Sequence, residues 1–265
     1  MQGQLIPQRR FFDRIKKSLA SIGAGLVAAL KLLGSLKILA FLKTGATMFI
    51  SIFFYAQIWG WRFAVGFVLL LFVHETGHLI AARMMGLKVG LPVFIPFMGA
   101  LIALKEAPRN AWIEAVVGIG GPILGSLGAL AGWALYFVTG HQIYLALGFT
   151  GFFLNLFNLI PIVPLDGGRI VSAISPWFWL LGLVLLVPVL LYSSNILLIV
   201  ILVLLLATSF PRGIALFRKR TDVEQRYFEC TPAQRWTISL LYLALLGGLA
   251  SLMFYTHEFL PQGTI

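Results

Sequence analysis

The chain has 265 residues, of which 60% are hydrophobic and 11% are charged, whereas a soluble domain carries roughly 25% charged residues. This composition excludes an ordinary soluble enzyme and predicts an all-α polytopic membrane protein. The formal net charge of +11 does not indicate nucleic-acid binding, because the basic residues lie mainly at the N-terminus and between apolar segments, where they set membrane topology.

The N-terminal region, 1–43, is predicted to be a basic tail followed by an interfacial segment. Residues 1–18 are rich in Arg and Lys, and no clear signal-peptide cleavage site follows them. The lysines of 19–43 are six residues apart, which spreads them around a helix. This segment therefore lies at the interface or is partly inserted, and it leads into a first membrane span near 39–59.

The second predicted span, 62–84, contains three side chains that are costly to bury in a bilayer. His74 and His78 are four residues apart, so a helix projects both imidazoles from one face. This is the spacing of two metal ligands in an HExxH sequence, in which the adjacent Glu75 handles a proton beside the metal. The pattern predicts a metal hydrolase whose active site lies inside the membrane.

The segment 86–108 is interrupted by three glycines and three prolines. Two short apolar runs, 93–97 and 100–104, lie between these residues. The segment is too broken for a helix and too apolar for a free loop. We therefore predict a β-hairpin-like loop that re-enters the membrane and is buried against protein.

Two further spans are predicted at 111–138 and 143–162, and the second is stopped by Pro161 and Pro164. These prolines precede Asp166, which is followed by two glycines. A charge in a break between apolar segments marks this turn as a candidate site.

The C-terminal region, 176–265, is predicted to hold the remaining spans. The apolar block 177–210 is too long for one span of about 20 residues, and two short spans turning at 193–195 fit it better than one long helix. The basic segment 211–235 is predicted to be a cytoplasmic loop, and the last span is 237–256. The count is about seven membrane spans in total.

The histidine pair needs a further ligand, because a catalytic zinc ion usually has three protein ligands. The single cysteine, Cys230, excludes a cysteine-based site. His74 and His78 lie roughly 8–14 Å from the cytoplasmic end of their helix, at about 1.5 Å per residue. Asp166 fits this depth best, although it is also a candidate helix N-cap. The candidates by residue type are Glu114, for which a structural role is favoured, His141, Asp166 and His257.

Three short sequences together resemble the site-2 protease family of intramembrane zinc metalloproteases. They are HETGH at 74–78, GPILG at 121–125 and NLIPIVPLDGG at 158–168. The resemblance implies a catalytic membrane core at 44–175 in a compact form without PDZ or CBS domains. It also implies that zinc is held by His74, His78 and Asp166, that Glu75 is the general base and acid, and that Asn158 lies near the catalytic centre.

Two asparagines therefore receive different predictions. Asn158 is a catalytic candidate, although a helix–helix hydrogen bond would also explain it. Asn155 is predicted to be structural.

The resemblance also implies that the 86–108 hairpin presents the substrate as an added strand. A peptide bond within a helix is shielded, so the substrate must unwind locally, and an exposed strand edge can hold it extended. The predicted substrate-binding residues are Val93, Phe94, Ile95, Gly99, Ala100 and Leu101.

The predicted function is that of a zinc-dependent intramembrane endopeptidase, which cuts within or near transmembrane segments of membrane proteins with a water activated by Glu75. Two alternatives stay open. Buried histidines and carboxylates also mark metal paths in zinc transporters, and a catalytically inactive relative would bind membrane helices without cutting them.

The predicted partners are the lipid bilayer and a membrane protein substrate, with no nucleic acid, and the oligomeric state is not set by the sequence. We expect a multi-pass protein in the cell membrane of a prokaryote. Its N-terminus is predicted to be cytoplasmic, and its active site is predicted to lie nearer the cytoplasmic side.

Overall fold

The structure is a computed structural model that describes residues 36–192 and 196–259. The predicted tail, 1–18, most of the predicted interfacial segment, 19–43, and the predicted turn at 193–195 lie outside the described residues.

The chain divides into two compact units, Met1–Ala46 and Thr47–Ile265. The first unit contributes only the beginning of one helix to the described residues. Over both units, the described residues form nine helices and two strands. In chain order these are α1 (Leu36–Trp59), α2 (Trp61–Met84), β1 (Val89–Ile95), β2 (Gly99–Leu104), α3 (Ala111–Thr139), α4 (Gln142–Asn158), α5 (Asp166–Ile174), α6 (Phe178–Tyr192), α7 (Ile196–Ala215), α8 (Asp222–Tyr227) and α9 (Pro232–Glu258).

Within the described residues, five helices are long and apolar enough to cross a membrane. They are α2, α3 and α9 in full, Phe41–Trp59 of α1 and Leu198–Ala215 of α7. α4, with 17 residues, and α6, with 15 residues, are shorter. The protein is an all-α polytopic membrane protein, as predicted, while the count of seven spans stays a prediction.

In the described part of the apolar block 177–210 there are two helices. α6 covers Phe178–Tyr192 and α7 covers Ile196–Ala215, while the division of the block into two spans stays a prediction. Each helix contains a proline, Pro188 in α6 and Pro211 in α7.

The predicted hairpin is confirmed as a two-stranded antiparallel sheet, in which β1 pairs with β2. Ile95 lies opposite Gly99, next to the turn, and Pro92 lies opposite Ile102. The turn places Gly99 at φ 92°, a backbone conformation that glycine adopts without steric cost. This freedom lets the chain reverse within three residues.

The core that positions the site is built on the close approach of α2 and α3. A Cβ at Gly77 would meet the carbonyl group of Gly120, and a Cβ at Gly120 would lie 2.6 Å from the oxygen of Gly77. In a bilayer, lipid is as apolar as the helix faces, so helices associate through such close packing of small residues and through polar contacts. The glycine pair therefore sets how near the α2 histidines come to α3.

Candidate metal centre

The HETGH sequence lies in the middle of α2, on the side that is packed inside the protein. His74 is 3% exposed, Glu75 8% and His78 6%. A helix brings residues four apart onto one face, and the two imidazole ring centroids are 4.8 Å apart. Three ionisable side chains in one buried turn have to be matched by polar partners on other elements.

Asp166 completes a triangle of potential ligand atoms. Its Oδ2 lies 3.1 Å from Nε2 of His74 and 3.1 Å from Nε2 of His78. The two Nε2 atoms are themselves 3.1 Å apart. Within the described residues these three form the one group of His, Cys, Asp or Glu side chains that could hold a metal ion. The structure thus brings together the three predicted ligands.

The hydrogen bonds behind the triangle decide where the imidazole protons lie. Nδ1 of His74 is 2.8 Å from Oδ1 of Asn155, and Nδ1 of His78 is 2.8 Å from the Val117 carbonyl oxygen. Both oxygens only accept hydrogen bonds, so each Nδ1 carries the hydrogen. The Gly121 N–H also lies 3.3 Å from Nδ1 of His78. It could donate to this nitrogen only if Nδ1 carried no hydrogen, and the Nδ1 lone pair would then face the lone pairs of the Val117 oxygen at 2.8 Å. The hydrogen bond to Val117 is therefore the favoured one.

The triangle therefore fits a metal ion. In a neutral imidazole with hydrogen on Nδ1, Nε2 presents a lone pair. Two such lone pairs and a carboxylate oxygen converge at 3.1 Å and repel one another unless a cation lies between them. Two imidazoles and one carboxylate are a ligand set of catalytic zinc sites, which keep a fourth position open.

Gly121 of the GPILG sequence lies against the triangle from α3. A Cβ at this position would overlap the His78 ring and lie 2.8 Å from Nε2 of His74. Only a glycine leaves this space free for the two imidazole rings, which explains a glycine at this position of the motif.

Asp166 can reach the histidines because α4 ends before it and a non-helical loop leads to the start of α5. α4 ends at Asn158 and α5 begins at Asp166 itself. A Cβ at Gly167 would meet the Leu159 and Ile160 carbonyls, and a Cβ at Gly168 would meet the backbone of Ile162 and Val163. Two glycines after the aspartate let the connecting loop fold back tightly onto the first turn of α5.

The two asparagines of α4 have different surroundings. Asn158 donates from Nδ2 to the Leu154 carbonyl of its own helix, at 3.1 Å. Asn155, in contrast, is 1% exposed and contacts His74. The catalytic role of Asn158 stays a prediction, and the contact of Asn155 was missed at the sequence level.

The hairpin packs one face against the helices. Phe94 is 2% exposed and its ring centroid lies 6.4 Å from that of Phe72 in α2, while Ala100 is 8% exposed. On the other face Leu101 is 58% exposed. The predicted substrate-binding residues Val93, Ile95 and Gly99 lie on the same paired strands, and the substrate-binding role of all six stays a prediction.

The other candidate ligands lie elsewhere. His141 and His257 are exposed. Glu114 lies 3.7 Å from Nε of Arg169, and it accepts a hydrogen bond from the Tyr227 hydroxyl. Burial and this carboxylate raise the pKa of Tyr227, so the hydroxyl remains a donor. Glu114 is thus engaged in a link between α3, α5 and α8.

Comparison with known proteins points to one family. Residues 62–143 and 139–179 match the family model described as peptidase family M50. A zinc metalloprotease of Methanocaldococcus jannaschii is 32% identical over 122 residues, which cover 42% of this chain and 34% of that protein. A Synechocystis protein with a provisional zinc metalloprotease name is 34% identical over 108 residues, covering 38% of this chain and 28% of that protein. The chain thus matches only about a third of the length of either relative.

Proposed function

Residues 62–179 match the model of peptidase family M50, and from this match we propose that the protein is a zinc-dependent intramembrane endopeptidase. The observation that carries the proposal is the buried triangle of His74, His78 and Asp166. Glu75 lies in the same turn as the two histidines, on a helix that is long and apolar enough to span a membrane. The names of the relatives supply zinc as the metal, and the ligand set fits it.

The side chains of the centre divide the chemistry between them. His74, His78 and Asp166 would hold the zinc ion, which when bound would polarise a substrate carbonyl and make a water molecule more acidic. Glu75 would take the proton of that water as the peptide carbonyl is attacked. It would then return the proton to the leaving nitrogen, acting in turn as general base and general acid.

The hairpin supports the predicted presentation of the substrate, because outward amides of β2 have no hydrogen bond to other described elements. The Lys105 N–H donates to the Lys88 carbonyl at 2.9 Å, so alternate residues of β2 face β1 and those between them face outward. The outward residues include Ala100 and Ile102. Neither of their amides has a hydrogen bond to the described part of the chain outside the hairpin.

The outer edge of β1, in contrast, is closed. The Phe94 N–H donates to Oγ1 of Thr47 in α1 at 3.2 Å, and Pro92 has no N–H to offer. The Phe97 N–H, just beyond the strand, donates to the Tyr55 hydroxyl at 2.9 Å. The substrate would therefore add to β2 as an extended strand, after local unwinding of its helix.

Glu75→Gln tests the proposed chemistry. The purified variant should bind zinc like the wild type, since the ligands are unchanged, but it should not cleave a single-span membrane substrate in vesicles. Asp166→Ala is the complementary variant, which should lose both zinc and cleavage. Undiminished cleavage by Glu75→Gln would rule out the mechanism, and zinc flux into vesicles by the same variant would indicate a transporter.

The proposed setting is the cell membrane, with the N-terminus in the cytoplasm and the centre nearer the cytoplasmic side. Basic residues support this orientation: Arg83 lies in the last turn of α2, and Lys88 and Lys105 lie at the base of the hairpin.

A further inference from the structure

His74 is held on both sides of its ring, and the outer partner is a buried amide. Asn155 accepts with Oδ1 at 2.8 Å from Nδ1 of His74. Its Nδ2 donates to the Gly151 carbonyl at 2.7 Å. This second bond fixes the orientation of the amide, so that the oxygen and not the nitrogen faces the imidazole.

The orientation of the amide selects one of two protonation patterns for His74. With hydrogen on Nδ1, the Nε2 lone pair points at the triangle. With hydrogen on Nε2, the imidazole would donate to Asp166 Oδ2, 3.1 Å away. His74 and Asp166 would then be hydrogen-bonded to each other, and Nε2 would have no lone pair for a metal. Asn155 favours the first pattern, because only that pattern gives its Oδ1 a hydrogen bond.

Gly125 provides the space in which the amide lies. A Cβ at Gly125 would overlap Oδ1 of Asn155 and would lie 3.0 Å from its Cγ and Nδ2. Gly125 is the last residue of the GPILG sequence, and Gly121 at its start faces the histidines directly. Gly121 therefore lies at the Nε2 side of the His74 ring, next to the ligand triangle, and Gly125 lies next to Asn155 at the Nδ1 side.

We propose that Asn155 is a positioning residue that holds His74 in its metal-binding form, and that Gly125 is required for this placement. The inference rests on the proposed zinc site. Mutation of the outer hydrogen-bond partner of a ligating histidine typically lowers metal affinity by about 10–100-fold. We expect an effect of this size.

The test measures metal binding by the full chain purified in detergent, without reference to cleavage. Zinc affinity is obtained by competition with a chromophoric chelator, and the visible absorption of bound Co²⁺ reports ligand geometry. Asn155→Leu has a similar volume but no acceptor, and it should lower zinc affinity by about 10–100-fold. Asn155→Asp keeps an acceptor for Nδ1, and it should recover most of the affinity and the wild-type Co²⁺ spectrum.

Gly125 supplies a double-mutant test of the same idea. Gly125→Ala should reduce affinity as Asn155→Leu does, because its methyl group displaces the amide. In an Asn155→Ala background the same methyl group has little left to displace, so it should add little further loss. Gly132→Ala on the same helix is the matched control, since its nearest neighbour would be 3.5 Å away, an ordinary contact.

The outcomes separate the inference from the proposed function. If the wild type binds zinc and Asn155→Leu binds it equally well with an unchanged Co²⁺ spectrum, Asn155 does not position His74. If the wild type itself binds no zinc, the proposed function fails and the inference fails with it. Should Asn155→Leu not fold, as judged by thermal melting without metal, the Gly125 cycle decides: additive losses would overturn the inference.

Discussion

Each histidine of the metal centre has polar contacts at both of its ring nitrogens. Nε2 of both histidines faces Asp166. Nδ1 of His74 faces the side-chain oxygen of Asn155, and Nδ1 of His78 faces the backbone carbonyl oxygen of Val117. The hydrogen bonds to Nδ1 hold both imidazole rings in place. Such preorganisation reduces the conformational cost of binding.

Gly121 gives a prediction at this scale. Gly121→Ala should greatly reduce zinc affinity, because the added methyl group would overlap the His78 ring and crowd Nε2 of His74. Isothermal titration with zinc measures the effect. Gly247→Ala is the control, as a Cβ there has no neighbour within 4 Å. Equal affinities in the two variants would contradict the assigned role of Gly121.

The proximity of His74, His78 and Asp166 could be predicted from the sequence, because spacing and helix breaks largely decide it. Two histidines four apart share a helix face whatever surrounds them, and the prolines before Asp166 mark where a helix must stop. Which of Asn155 and Asn158 contacts His74 could not be predicted in this way. The answer depends on the rotation of α4 about its axis, which is determined by packing against α3 and not by the local sequence.

Among the elements, α5 is the short helix on which the metal centre depends most. Its first residue is Asp166, and it is tied to later elements through Trp179 Nε1, which donates to the Gly168 carbonyl, and Arg235, which donates to the Ile174 carbonyl. Tyr242 of α9 donates to the Leu159 carbonyl in the loop that leads into α5, at 2.6 Å. The C-terminal helix thus supports the third ligand from a distance.

Tyr242→Phe should therefore weaken the protein without altering any ligand. It leaves the buried Leu159 carbonyl without its donor, at a cost of about 1–3 kcal/mol in free energy of unfolding. Thermal melting in detergent should show a lower midpoint than for the wild type. Tyr255→Phe, at a residue that is 48% exposed, should melt like the wild type, and a similar midpoint for Tyr242→Phe would argue against the support.

The hairpin gives the second prediction for an element. Ile102→Pro removes one outward amide of β2 while leaving the inward hydrogen bonds to β1 in place. Under the proposed function, cleavage of a single-span substrate should slow and zinc affinity should not change. Ile102→Val, which keeps the amide, should cleave at nearly the wild-type rate. A proline variant as fast as the valine variant would argue against strand addition at this edge.

For the whole molecule, the distribution of charge supports the proposed membrane topology. The basic residues of the 211–235 segment lie in the last turn of α7, in and around α8 and at the start of α9. The connection between α3 and α4 at 140–141 has no Lys or Arg. The number of spans could not be settled from the sequence, since α4 and α6 are shorter than an ordinary span. Their depth depends on how neighbouring helices and the bilayer adjust to them.

Cysteine labelling in intact cells tests this topology. His141→Cys should react with a membrane-impermeant maleimide, and Asp222→Cys should react only after the cells are opened. Both are made in a Cys230→Ser background. Burial raises the pKa of the native Cys230 thiol, so it forms less of the reactive thiolate near neutral pH. Labelling of Asp222→Cys in intact cells would reverse the proposed orientation.

The separation of the ligands along the chain has a consequence for biosynthesis. Asp166 follows His74 by 92 residues and is carried by a different helix. A ribosome that has delivered α2, the hairpin and α3 to the membrane has therefore made only two of the three ligands. Under the proposed function, the growing chain cannot cut neighbouring proteins, or itself, until α5 has been inserted and docked.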